Sequence, residues 1–168
     1  GWTDIRKGIR HNAAGEPLLL EIMTTAGNRV RELVEQVIQS NLREIGIDLR
    51  IRNQPARVLF GQTIRQRQFT GMAMFAWFSS PRNVPRTTLH SSMIPTVGNG
   101  WSGQNYTGYR SDVMDTAIDR VEVGCSEEDQ TRHWTTIQQT YAQDLPVLPL
   151  YFRANAFIMP KWLKGVTP

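Results

Sequence analysis

Cysteine is almost missing from this chain: Cys125 stands alone. A lone cysteine excludes an internal disulfide and any multi-cysteine metal site, and it neither requires nor forbids an oxidising compartment. Beside a helix boundary it reads as a small packing residue rather than a reactive thiol. Long apolar runs are missing too, since none approaches the roughly 20 residues that a membrane-spanning helix needs. The opening, GWTDIRKGIRHN, has no apolar core of the kind a secretory signal carries. Because the chain starts at Gly1 rather than Met, the expectation is a processed product or a piece of something longer, and the missing signal says nothing about compartment.

The motifs of catalysis are equally scarce. His11, His90 and His133 are scattered without an HxxxH or similar ligand spacing, so no local metal motif is present, and each reads as a surface or satisfied histidine. There is no G-x-S-x-G elbow, no G-x-x-x-x-G-K-[ST] loop and no G-x-G-x-x-G after a strand. The string GNGWSGQN follows a loop and leads into no helix, so its glycines serve tight turns that present Trp101. Asp112, Asp115 and Asp119 lie at helical spacing, which would suit an acid and base pair, but beside Met114 and Ile118 they read as the wet face of an amphipathic helix. Nothing here supports enzyme chemistry.

The charge excess is small, a formal +4 over 168 residues, with hydrophobic residues at 40% and charged residues at 20%. That is the profile of a soluble globular chain of one domain, residues 1–168. Residues 1–70 hold 11 Lys and Arg against 7 Asp and Glu, whereas the remainder is balanced. The arginines of the first part alternate with acids on expected solvent faces, and a nucleic-acid footprint would be denser and clustered.

Periodicity then orders the elements. Leu18 to Thr25 (LLLEIMTT), opened by Pro17, reads as a strand. Asn28 is an N-cap, and Val30, Leu33, Val34, Val37, Ile38, Leu42 and Ile45 share one helical stripe that Gly46 ends. Ile47, Leu49 and Ile51 alternate with Asp48, Arg50 and Arg52, the period of a half-buried strand. Pro55 starts a shorter helix, VLFGQTIRQRQ. Phe69 to Phe78 is apolar on both faces, as expected of a central strand covered on two sides. The first half is therefore β-α-β-α-β with parallel crossovers.

Farther on, Ser111 caps a helix carrying Val113, Met114, Ala117, Ile118 and Val121. Ser126, with Asp129 three residues later, resembles a capping box for a second helix with Trp134, Ile137, Tyr141 and Leu145 inside and Pro146 at its end. LPVLPLYF and ANAFIMP read as short extended segments at strand starts or edges. The fold class is α/β.

The richest stretch lies between these halves. From Phe69 to Tyr109 the apolar strand empties into a long Gly- and Pro-rich aromatic segment, and a connection of that length builds a binding surface or a lid when ordered. Trp77, Phe78, Trp101, Tyr106 and Tyr109 supply flat apolar faces. Ser79, Ser80, Asn83, Ser102, Gln104 and Asn105 supply donors and acceptors, the mixture a concave ligand site needs. Packing beneath the loop accounts for Trp77 and Trp101 equally well.

Five segments in register then resemble a known family: GW followed by GEPLLLEIMTT, LREIGIDLRI, FAWFSS, NYTGYRSDVMDTAID and QQTYAQDLPVLPLYF. Together they are similar to the C-terminal lobe of the extracytoplasmic solute-binding proteins of family 5, which serve peptide, dipeptide and nickel ABC transporters. The resemblance implies one lobe of the type II periplasmic-binding-protein-like fold, a mixed, mostly parallel sheet flanked by helices. It implies a non-enzymatic receptor that closes on a peptide or other small solute with an N-terminal lobe lying outside this chain. It further implies delivery to a membrane permease and a periplasmic location, with a lipid anchor on the full-length protein left open. No cofactor, metal or nucleic acid is implied. The rival reading is a stand-alone protein-interaction module using the aromatic loop 79–110.

In the family the strand commonly ends in Trp, followed three positions later by an Asp that holds the peptide's amino group. Here the matching positions are Trp77 and Ser80, and no acid occurs between Phe78 and Asp112. Serine accepts a hydrogen bond but carries no charge, so the charge-assisted contact is lost. The resemblance thus implies a ligand without a free amino terminus, or an amine read by the other lobe. Asn83 is left as a substitute at the shifted turn, with Arg82 and Arg86 flanking Pro85.

Overall fold

The computed structural model describes residues 1–78, 80, 83–124, 126–152, 158–160, 162, 163 and 165. Ser79, Arg82, Cys125 and most of ANAFIMP therefore lie outside the described residues.

The chain opens with a hairpin that the sequence reading did not anticipate, β1 (Asp4–Arg6) against β2 (Ile9–His11), antiparallel and turned at Lys7 and Gly8, both at positive φ. Its signal was the Lys-Gly pair, a two-residue turn with glycine supplying the left-handed backbone. The hairpin closes the end of the first helix: Arg10 N–H donates to Gly46 O at 2.8 Å and Arg10 Nε to Ile45 O at 2.6 Å. Gly46 sits at φ 85°, and a Cβ there would fall 2.8 Å from Arg10 Cγ, so glycine both turns the chain and leaves room for that arginine.

The parallel frame follows as expected. β3 (Leu19–Met23) leads into α1 (Arg29–Glu44), capped by the Asn28 side chain accepting from Arg31 N–H, and then into β4 (Asp48–Ile51). The short helix α2 (Ala56–Val58) runs on as a π-helical turn, Leu59–Thr63, before β5 (Met72–Ala73). The sheet order is β4-β3-β5, with Leu19 opposite Asp48 and Met23 opposite Ala73.

Two expectations fail here. Among the described residues Phe69 to Phe78 is not the central strand: β3 holds the middle, β5 is a two-residue edge, and the chain leaves the sheet just beyond Met74. Its apolar character on both faces has another cause, since Phe69, Ala73 and Phe75 pack against the buried cluster of Met23, Leu59 and Ile64. The stripe of α1 is also rotated. Val30, Leu33, Val37 and Ile45 are exposed, Val37 by 59%, while Glu35 is buried and Gln39 donates to Leu49 O at 2.6 Å. Among the described residues a three-stranded sheet covers one side of the helix, and the polar bond from Gln39 to the strand fixes which side.

The second half is a helical hairpin, α4 (Asp112–Glu122) and α5 (Glu127–Asp144), whose N-caps Ser111 and Ser126 accept from Met114 and Asp129 as expected. Met114, Ala117, Ile118, Val121 and Ile137 make its core with Leu89, and Trp134, Tyr141 and Tyr109 pack around it. Burying each large apolar side chain there contributes about 1.5–3 kcal/mol. Leu145 breaks the expected stripe: it stands half-exposed at φ 44° as the helix ends. Residues 146–152 form no strand, so LPVLPLYF is not one.

Candidate functional site

In a parallel sheet the ligand-facing edge is formed where the strands end at their carboxyl termini. Here β5 ends at Ala73 and hands the chain to Phe75, Trp77 and Phe78. Phe75 is the hub of an aromatic ledge: its ring lies 5.6 Å from Phe60 and 5.6 Å from Trp77, both edge-on, and 6.3 Å from Tyr106. Trp77 and Tyr106 stack at 6.3 Å with planes 15° apart. Each such pair contributes about 0.5–1.5 kcal/mol beyond its buried area, so the ledge is a rigid platform. Trp77 remains 46% exposed. Burial pushes the Tyr106 hydroxyl above its ordinary range, against the opposing pull of Arg65.

The long segment behind this ledge is built rather than structureless. α3 (Arg86–Leu89) is followed by single 3-10 turns at Ser91–Met93 and Val97–Asn99, the latter closed by a capping box between Thr96 and Asn99. Two arginines that follow the π-helical turn tie the loop to this part of the chain: Arg67 Nε donates to Tyr106 O at 3.0 Å, and Arg65 reaches the carbonyls of Trp101 and Gly100 at 3.5 Å. A Cβ on Gly103, at φ 94°, would land on the Met93 carbonyl, so the backbones touch where only glycine fits.

Asp112 and Asp119 are exposed, as the wet-face reading expects, but Asp115 and Asp119 also bind this loop to α4. Asp115 accepts from Ser91 N–H at 2.9 Å and from the Ser91 hydroxyl. Asp119 pairs with Arg86, which also donates to Glu122 at 2.5 Å, and His90 Nε2 approaches Asp119 at 3.4 Å. Hydrogen bonding to Arg86 holds the Asp119 carboxyl below the usual range. Arg86 is thereby paired with two carboxylates of α4 rather than left free beside Pro85.

Of the residues singled out from sequence, the structure brings Trp77 and Tyr106 into one stack. Phe78 is 96% exposed beside it, and Ser80 and Asn83 are exposed, Asn83 N–H donating to Ser80 O at 3.0 Å. Trp101 is half-buried and held at φ 60°, and Ser102 is exposed with its N–H on Asn99 Oδ1 at 3.2 Å. Ser79 and Arg82 lie outside the described residues. Asn105 is corrected. It is 0% exposed, donates to Leu89, His90 and Tyr109 carbonyls, and accepts from Tyr109 N–H, so it staples the loop and offers nothing to a ligand. Tyr109 turns inward too, its hydroxyl donating to Asp144 at 2.5 Å.

Phe60, Phe75, Arg65 and Arg67 were missed. Phe75 was visible only as one apolar residue among many, and the arginines as ordinary surface charge. Two shallow grooves, one between α1 and β4 around Gln36, Arg43 and Asp48, the other around Val113 and His133, do not include the ledge. The ledge is an open half-surface. Among the described residues no three His, Cys, Asp or Glu side chains gather as a metal site, and no helix is long and apolar enough to cross a membrane.

No family model matches the chain. It is 26% identical over 166 residues to the oligopeptide-binding protein AppA of Bacillus subtilis, covering 98% of this chain and 29% of that protein. An oligopeptide-binding protein from Thermus thermophilus, solved with a pentapeptide, superposes with a TM-score of 0.81 at 33% identity over 92% of this chain and 28% of that one. The AppA structure with a nonapeptide gives 0.72 at 26% identity. NikZ of Campylobacter jejuni, at 18% identity and a TM-score of 0.70, shares the fold. The chain spans under a third of the length of these relatives. In sequence and fold the chain is thus similar to the family 5 solute-binding proteins of type II periplasmic-binding-protein-like fold, with the extent of one part of such a protein.

Proposed function

We propose that residues 1–168 are one lobe of an ABC-transporter substrate-binding protein that captures peptides or similar small solutes outside the cytoplasm and passes them to a membrane permease. The observation that carries this is the ledge: Trp77 stacked on Tyr106 and half-open to solvent where the parallel sheet ends. Such a face supplies apolar area at little entropic cost, and a second lobe closing over it would enclose the ligand. The exposed Val30, Leu33 and Val37 on α1, with Leu148, Phe152 and Trp162 near the carboxyl end, support a place inside a larger protein.

Residues proposed to meet the ligand are Trp77, Phe78, Ser80, Asn83, Trp101, Ser102 and Tyr106, with Ser79 and Arg82 beside them in sequence. Their donors and acceptors are neutral apart from Arg82. No acid occurs between Phe78 and Asp112, and Asp115, Asp119 and Glu122 of α4 are engaged by Ser91 and Arg86. The segment that carries these residues therefore offers no carboxylate to an ammonium group. Calorimetric titration of the full-length protein with matched free and N-acetylated pentapeptides tests the point. Comparable affinity for both agrees with it, whereas a strong preference for free amines that Ser80→Ala abolishes would sink it.

A further inference from the structure

Beneath the ledge lies a polar relay that the ligand surface does not itself explain. Glu35 of α1 has no exposed surface. Its Oε2 accepts from Asn53 Nδ2 at 2.8 Å, and Oε1 has no hydrogen-bond partner among the described residues. Asn53 Oδ1 accepts from Thr24 N–H at 2.9 Å, and the Thr24 hydroxyl donates to Met74 O at 2.7 Å. Met74 opens the segment that carries Phe75 and Trp77, so one line of hydrogen bonds joins α1, the ends of β4 and β3, and the root of the ledge.

The surroundings favour a neutral carboxyl. A buried carboxylate with an orphaned oxygen is costly unless a cation compensates it, and among the described residues the charge that acts on Glu35 is that of Glu32, one turn back, which repels. Arg31 of the same helix is directed to Thr25 Oγ1 at 3.0 Å, and the residues that β3 and β4 contribute, Thr24 and Asn53, do not titrate. We propose that Glu35 is an uncharged positioning residue for the ledge, holding the Met74–Trp77 segment in register through Asn53 and Thr24, and that its ionisation loosens that segment.

Burial is the largest influence and pushes the carboxyl above the ordinary glutamate range; the Asn53 bond opposes this and Glu32 adds to it. The folded chain then keeps a proton that the unfolded chain has lost. The relay's contribution is complete below the ordinary glutamate range and is lost as pH rises through the raised value. That the segment is a ligand face rests on the function proposed above, but the relay does not, so the test reads the relay alone.

Amide hydrogen exchange of residues 22–26 and 73–78 is followed in the full-length protein and its Glu35→Gln variant from about pH 5 to about pH 9, the ratio at each pH cancelling intrinsic exchange. Glutamine keeps the acceptor for Asn53 without a titrating group. The expected ratio is near one at the acid end, with the native protein exchanging about tenfold faster or more at the alkaline end. A ratio that does not change with pH overturns the proposal. Should the variant fold poorly, the 13Cδ shift of Glu35 in the unaltered protein decides it: a carboxyl still protonated after exposed glutamates have ionised supports the relay, and one that titrates with them overturns it.

Discussion

Asn105 is the residue whose loss should dismantle the loop behind the ledge. Asn105→Ala removes Nδ2 donation to the His90 and Tyr109 carbonyls, at 3.1 and 2.9 Å, and strands the Tyr109 N–H that Oδ1 holds at 3.0 Å. Three well-formed bonds at about 1 kcal/mol each give a cost of about 3 kcal/mol, the Leu89 and Thr107 contacts being too long to add much. That loss equals somewhat over a hundredfold in the opening equilibrium, at about 1.4 kcal/mol per decade. Hydrogen exchange at the Tyr109 amide in the full-length protein should speed up by that factor. Asn105→Asp should be worse at neutral pH, because a carboxylate oxygen would face carbonyl oxygens in a fully buried site, and it should partly recover as acid protonates it. A change below about fivefold for Asn105→Ala, or an Asn105→Asp variant milder than alanine at neutral pH, would refute the staple.

Acid should loosen the contact between α3 and α4. The Asp119 carboxyl is held low by Arg86, so its contribution is present above the ordinary aspartate range and is lost as pH falls through the lowered value; exchange at residues 86–92 should rise there, and Asp119→Asn should remove that pH dependence. Gly103→Ala should destabilise the protein by about 2 kcal/mol or more, read by denaturant midpoint, since its Cβ meets the Met93 backbone and its φ is left-handed. Met114→Ala, emptying a fully buried site between the last helices, should cost about 2–5 kcal/mol, and a loss under about 1 kcal/mol would mean that core is not closed as described.

The frame was legible because local signals agreed with it. Asn28, Ser111 and Ser126 cap the helices that their positions announced, and the alternation over Ile47–Ile51 became β4. What failed depended on partners far along the chain. Which side of α1 meets the sheet is decided by a Gln39 bond to β4 and by a buried Glu35, neither of which an apolar stripe predicts. The edge position of β5 depends on where the backbone leaves the sheet, and apolarity alone does not mark that point. Trp77 was singled out because it stands near the end of an apolar run before a loop, and the structure stacks it on Tyr106. Asn105 was misjudged because an asparagine that meets solvent and one that staples five backbone and hydroxyl groups are the same letter. The hold of Asp115 and Asp119 on the loop went unseen for a similar reason: their partners, Ser91 and Arg86, sit in a loop whose path the sequence did not show.

The central claim, that the open half of the Trp77–Tyr106 stack holds a ligand, is tested most directly by pentapeptide titration of the full-length protein and its Trp77→Ala variant. A face worth about 1.5–3 kcal/mol to the complex predicts about tenfold to a hundredfold weaker binding, with thermal stability lowered by no more than the loss of one half-exposed aromatic side chain. Unchanged peptide affinity in a folded Trp77→Ala protein would contradict the claim.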